Sequence, residues 1–417
     1  MPRRPPGPAV VIALAAATLL LATAVPRPTR ASEAPLEFTE QERRQILSFG
    51  PWPPPFAPDP SNRASGQPAA IELGARLFVD PRLSPTGAVA CVTCHQPDRH
   101  WTDARARARG LVDLPRNTPA LANLRLQRWY GWGGGADSLW LASLRPLLDA
   151  REFGSSPATI ARIYRLDADL ACRYRRAFGE SPTTQIEQPV DVMVNTAKAL
   201  AAFQETLTTG RTPFDEFRDA LARGDAAAAA RYPRPAQQGL KLFIGRGSCI
   251  ACHNGPNFSN GEFADIGIPH FIVPGQVDAG RYEDLQRLRA SPYSQLGRHS
   301  DDAQRTDAQA MRLAVLEPRH WGEFKVPSLR NVAVTAPYMH NGSLPALRDV
   351  MLHYSTLDES RIHASAQPLL RPLRLAPQDI DALLAFLESL TDAAGAVRPR
   401  PAAEGDCDAA AAAAPSG

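Results

Sequence analysis

Cys91-Val92-Thr93-Cys94-His95 and its second copy, Cys249-Ile250-Ala251-Cys252-His253, constrain this chain more than any other feature. C-x-x-C-H is the attachment signature of c-type haem. Two thiols form thioethers to the porphyrin vinyl groups, and the adjacent imidazole reaches the iron from the proximal side. A chain with two such motifs must fold around two flat macrocycles. Both copies share a lead-in, Leu73-Gly74-Ala75-Arg76-Leu77-Phe78 and Gln238-Gly239-Leu240-Lys241-Leu242-Phe243. Each reads as a short amphipathic helix delivering the chain to the haem, so the sequence is an internal duplication of a small cytochrome unit. Two C-x-x-C pairs could also make one four-thiolate zinc site. That site has no use for a His after the second Cys of both copies, and an exported chain suits haem attachment better.

Export is read from the N-terminus. Arg3 and Arg4 precede an apolar run from Ala9 to Val25, then Pro26-Arg27-Pro28-Thr29-Arg30-Ala31. This is a secretory signal pattern over residues 1–31 with cleavage near Ala31, and export is the expectation. The run also approaches membrane-spanning length, so membrane contact is expected only if the signal stays uncleaved. A formal net charge of +3 gives no argument for nucleic acid. Forty prolines against 28 glycines suggest much rigidified irregular loop. Of six cysteines, Cys172 and Cys407 lie outside the motifs. A disulfide between them is open in an oxidising compartment, though the Ala-rich surroundings of Cys407 argue for no such pairing.

Along the chain, residues 32–69 form a Pro-rich leader in which Phe49-Gly50-Pro51-Trp52-Pro53-Pro54-Pro55-Phe56 cannot be regular helix or central strand. It is expected to wrap the first haem unit. An N-terminal haem domain over 70–190 and a C-terminal one over 191–395 follow, then a disordered tail over 396–417. Residues 157–179 and 190–208 read as amphipathic helices, the second carrying Val190, Val194, Ala197 and Leu200. From His253 to about Asp302 the chain reads as loop. Ser343 and Pro345 read as the start of a helix whose apolar face is Leu347, Val350, Met351 and Tyr354. A final helix is expected near Pro377–Leu390. The class is mainly α: two cytochrome c-like haem domains in tandem with extended loops.

In this order the motifs resemble the bacterial di-haem cytochrome c peroxidases, including the MauG-type enzymes. The resemblance spans about residues 70–392. It rests on Leu77-Phe78…Asp80-Pro81-Arg82-Leu83-Ser84, both C-x-x-C-H motifs, Arg116-Asn117-Thr118-Pro119, Val326-Pro327-Ser328-Leu329-Arg330-Asn331 and Thr335-Ala336-Pro337-Tyr338-Met339-His340-Asn341-Gly342. It implies two covalent c-type haems, periplasmic residence and chemistry with hydrogen peroxide. It also implies an electron-donor protein, a small cytochrome c or cupredoxin, or else a protein substrate. Arg-rich segments near the first haem would steer an acidic partner.

Carried over residue by residue, the resemblance makes Cys91, Cys94 and His95 the anchors of a peroxide-binding haem. Cys249, Cys252 and His253 become those of an electron-transfer haem. Family members can cap the first iron with a His shortly before the segment matching Pro115-Arg116-Asn117. Here Arg105-Ala106-Arg107-Ala108-Arg109-Gly110 holds none, and His100 sits too close to its own motif. The first iron is thus expected to be open. Glu152 matches the distal carboxylate that moves a proton between peroxide oxygens, although the family's nearby Gln is replaced by Ala142 or Ser143. Trp132 matches the aromatic relay between haems. Tyr354 falls where peroxidases place a Met ligand and MauG-type enzymes a Tyr, with Met351 one turn earlier as the alternative sixth ligand. Asn117, with the backbone carbonyls of Thr335 and Pro337, matches an inter-domain calcium site, suited to a hard cation. The competing reading, a pure electron-transfer cytochrome, needs both irons six-coordinate, which the missing distal His opposes.

Overall fold

Each motif is reached through a helix with proline in its first turn, where the missing N–H costs nothing. These helices are Pro68–Phe78 and Arg234–Ile244 in the computed structural model. The structure describes residues 36–182, 189–269, 271–273, 276–362 and 370–392, together with Cys407. The expected signal segment 1–31 and the tail 396–417, Cys407 excepted, lie outside the described residues.

Both lead-in helices are crossed at close range by a later helix, Pro189–Glu205 on the first and Pro377–Glu388 on the second. Glycine makes the approach possible. A Cβ on Gly74 would fall 2.0 Å from the Ala199 carbonyl oxygen, and one on Gly239 would fall 1.9 Å from that of Ala382. The same aromatic pair seals each crossing. Phe78 and Phe203 have ring centroids 5.2 Å apart at 55°, and Phe243 and Phe386 lie 4.9 Å apart at 55°. The duplication in sequence is therefore a duplication in packing, and the expectation of a mainly helical fold with two tandem cytochrome units holds.

Two large apolar cores follow among the described residues. The first gathers Leu73, Leu77, Trp101, Trp140, Leu200 and Phe203, and the second Phe214, Leu240, Phe258, Leu383 and Phe386. Strands are short: Phe263–Ala264 pairs antiparallel with Phe324–Lys325, and Phe271–Val273 with Gln276–Val277.

Several expectations need correction. The Pro189–Glu205 helix packs in the first core, which runs on to Leu207, so the cores divide after that residue rather than at 190/191. The leader does not wrap the first unit alone. A capped helix, Glu40–Leu47, carries Ile46, which with Phe49 enters the second core. Further along, Asn62 and Ser65 bond to Lys198 and Glu205 of the first. The stretch 157–179 breaks at Asp167, whose carboxylate caps Leu170 N and starts a second helix, Ala168–Phe178. The region after His253 contains a helix, Arg281–Arg289, whose Leu285 and Leu288 return to the first core. The helix expected to start at Ser343 starts at Leu347, with Asp349 Oδ2 accepting from Ala346 N at 3.0 Å. Cys172 and Cys407 form a disulfide, contrary to the argument from composition.

Candidate di-haem site

The two motifs face one continuous cavity of about 1250 Å³, lined by Cys91, Cys94 and His95 from one half and Cys249, Cys252 and His253 from the other. That exceeds the roughly 300–1,000 Å³ of an ordinary small-molecule pocket. Among the described residues no group of three or more His, Cys, Asp or Glu is placed to hold a metal ion by itself. The four motif thiols therefore do not form the single tetrathiolate site of the zinc alternative.

The imidazoles are held alike. His95 Nδ1 lies 3.1 Å from the Trp101 carbonyl oxygen, and His253 Nδ1 lies 3.0 Å from that of Phe258. A carbonyl only accepts, so each Nδ1 carries the proton and each Nε2 keeps its lone pair, as a proximal iron ligand requires. Burial depresses both imidazole pKa values, keeping the rings neutral. The two accepting residues are bulky aromatics with left-handed backbones, φ 64° at Trp101 and 50° at Phe258. Such a conformation costs about 1–3 kcal/mol and persists only where packing imposes it. Here Trp101 packs against Phe78 and Phe203, and Phe258 against Phe243 and Phe386. The packing that defines each core thus aims each histidine. Burial pushes the Cys91 and Cys249 thiols up to about 12, so neither is a free thiolate. The donor set and the cavity fit two thioether-bound haems.

A second repeat flanks the cavity. Thr118-Pro119-Ala120-Leu121-Ala122-Asn123 corresponds to Val326-Pro327-Ser328-Leu329-Arg330-Asn331. Asn123 and Asn331 each open a single 3₁₀ turn from φ 63° and 60°. Pro119 and Pro327 stand against the rings of His95 and His253. Trp132 is held between the residues that precede these repeats. Its indole Nε1–H donates to the Asn117 carbonyl at 2.8 Å, while its own carbonyl accepts from Lys325 N at 2.7 Å.

Glu152 follows the helix Leu139–Leu148, in a turn where its N–H bonds the Asp149 carbonyl at 3.0 Å. It lines the cavity, and burial, reinforced by Asp149, raises its carboxyl pKa to about 7 against the pull of Arg145 and Arg151. Gly110, which the sequence reading did not single out, packs on this turn, and a Cβ there would lie 2.7 Å from Glu152 Cα. The segment 105–110 offers the cavity Ala108 and Gly110 and no imidazole. His100 lies off the cavity lining, near Asp392.

Tyr354, on the helix Leu347–Ser355, lines the cavity, and burial near Cys249 and Cys252 raises its phenol pKa. Its hydroxyl makes no hydrogen bond among the described residues. Met351 and Met339 share the lining. Asn117, Thr335 and Pro337 also lie on this wall; the Asn117 amide Nδ2 donates to Arg105 O at 2.7 Å.

Paired glycine crossings, tandem C-x-x-C-H motifs and a shared cavity define a tandem c-type cytochrome fold with a carboxylate beside one haem position. Residues 68–223 match the family model for di-haem cytochrome c peroxidase. The methylamine utilization protein MauG of Methylorubrum extorquens is 35% identical over 325 residues, covering 78% of each chain. The cytochrome-c peroxidase IdrP1 of Pseudomonas sp. is 30% identical over 343 residues, covering 81% of this chain and 85% of its own. Among solved structures, a MauG-like protein associated with microbial copper homeostasis superposes with TM-score 0.62 at 25% identity, over 83% of this chain and 97% of its own. The chain belongs to the di-haem cytochrome c peroxidase/MauG family. Its relatives are di-haem peroxidases and MauG proteins, and its two Cys pairs are consistent with two c-type haems.

Proposed function

We propose that this protein is a periplasmic oxidoreductase that cleaves hydrogen peroxide beside His95 and exchanges electrons with a protein partner through the His253 side. The observation that carries this reading is the asymmetry of the cavity: near the first motif a buried carboxyl with a pKa of about 7 against the segment 105–110, which carries no imidazole, and near the second Tyr354. Two haems, when bound, supply the redox chemistry. Glu152 Oε takes a proton from one peroxide oxygen and returns it to the other, which requires the ionised carboxylate at the outset. Gly110 keeps that turn close, and Trp132, bonded to both halves, is the route between them.

Tyr354 would hold the iron of the second haem through its phenolate oxygen. An anionic phenolate favours ferric iron, whereas a thioether favours ferrous iron and a raised potential. The phenolate favours MauG-like oxidation of a protein substrate over peroxide reduction fed by a small cytochrome c or cupredoxin. Exposed Arg105 and Arg109 give an acidic partner a landing field. Asn117 with the carbonyls of Thr335 and Pro337 is proposed to hold calcium.

The test is peroxide titration into the purified diferric protein. A high-spin component that reacts without prior reduction is expected, and its absence would restore the pure electron-transfer reading. Tyr354→Phe should alter the low-spin spectrum. A Met-to-ferric charge-transfer band in the native protein would give the ligand role to Met351 or Met339 instead.

A further inference from the structure

The wall between the two halves contains a half-buried ammonium with no carboxylate partner among the described residues. Lys325 belongs to the strand Phe324–Lys325, and its N–H is given to the Trp132 carbonyl. Its Nζ donates to Gln127 Oε1, and no carboxylate pairs with it among the described residues. Two guanidiniums on the same lining are treated differently. Arg116 is paired with Asp278 and Asp284, and Arg330 with Asp215. Burial pushes the Lys325 ammonium down to about 8, with no opposing charge named among the causes. At about 8 the amine is still mostly protonated at neutral pH, so its charge faces the cavity, where a carboxylate would form a charge-assisted hydrogen bond with it.

The cavity it faces must take two haems, each with two propionate carboxylates. Lys325 occupies the place that Asn117 holds in the first half: each stands two residues before the proline that contacts its motif's histidine, and each is bonded to Trp132. One half therefore offers a neutral amide at this place and the other a cation.

We propose that Lys325, its head oriented by Gln127, binds a propionate carboxylate of one of the two haems at the inner edge of the cavity beside Trp132. The pair fixes that haem's edge relative to the relay residue and places one positive charge there. Either haem could supply the carboxylate. Pro327, two residues on, stands against His253, while Gln127 belongs to the first half.

The inference rests on both haems being bound, so mass spectrometry comes first. A native protein without two haem additions refutes the di-haem reading and overturns this proposal with it. With two haems present, Lys325→Met, Lys325→Gln and Lys325→Arg are compared by spectroelectrochemistry and by the propionate bending bands in resonance Raman spectra. Lys325→Met should lower the midpoint potential of one haem and shift its propionate band, with Lys325→Arg keeping both near native. A change in the high-spin component assigns the propionate to the haem on His95, and one in the low-spin component to that on His253. If Lys325→Met and Lys325→Gln lose a haem and Lys325→Arg does not, the charge is required for binding and the proposal stands. Native potentials and native Raman bands in a fully loaded Lys325→Met protein would overturn it.

Discussion

The two halves share a scaffold and differ where chemistry is expected. Each has a glycine crossing, a tilted phenylalanine pair, a histidine aimed by the carbonyl of a left-handed aromatic, and a proline against that histidine. The accepting aromatic stands six residues after His95 but five after His253, so geometry is preserved across a one-residue difference in loop length. The divergent positions line or flank the cavity: Glu152 on one side and Tyr354 on the other, Asn117 against Lys325, Ala122 against Arg330. Arg330 is buried, bonded to both oxygens of Asp215 at 2.9 Å and stacked 3.4 Å from the Trp52 ring. The halves thus keep common means of holding a haem and have separated in what surrounds it.

Removing the thioether anchors tests the equivalence most severely. Cys91→Ala with Cys94→Ala, or Cys249→Ala with Cys252→Ala, should each leave one haem addition by mass spectrometry; retention of two would break the assignment of one haem per half. Next comes the chemical asymmetry. Glu152→Gln should slow peroxide cleavage by about 10²–10⁴-fold with both haems attached. Because the carboxylate form is the base, the native rate should rise with pH through about 7, and stopped-flow profiles of the variant should lose that rise. A native-like rate would remove Glu152 from the mechanism.

The Arg330–Asp215 pair has no counterpart at Ala122, the matching position of the first half. Asp215→Ala strands the Arg330 guanidinium and should cost about 3–5 kcal/mol in denaturant unfolding, while the spectrum of the haem on His95 stays native. The smallest effect should be shared. Gly74→Ala and Gly239→Ala each drive a methyl into a carbonyl and should destabilise by about 1–3 kcal/mol, despite the roughly 1 kcal/mol that alanine adds within a helix. A neutral result at one glycine would show that the crossings are not equivalent.

The sequence by itself determined the motifs, the lead-in helices and the helical class, because these depend on local spacing: C-x-x-C-H, a proline at a helix start, an apolar face. It also marked Glu152, Trp132 and Tyr354 through resemblance, and the structure brings all three to one cavity. Only the tertiary structure decided where the cores divide, since the Pro189–Glu205 helix is assigned by what it packs against and not by its own periodicity. The same holds for Phe49, a leader residue drawn into the second core, and for Cys407, paired with a cysteine 235 residues away. The carbonyls that aim His95 and His253, the fit of Gly110 against Glu152 and the placement of the Lys325 ammonium on the cavity wall beside Gln127 were likewise invisible in the chain. Each is a relation between residues distant in sequence or a backbone angle set by packing, and local patterns carry neither.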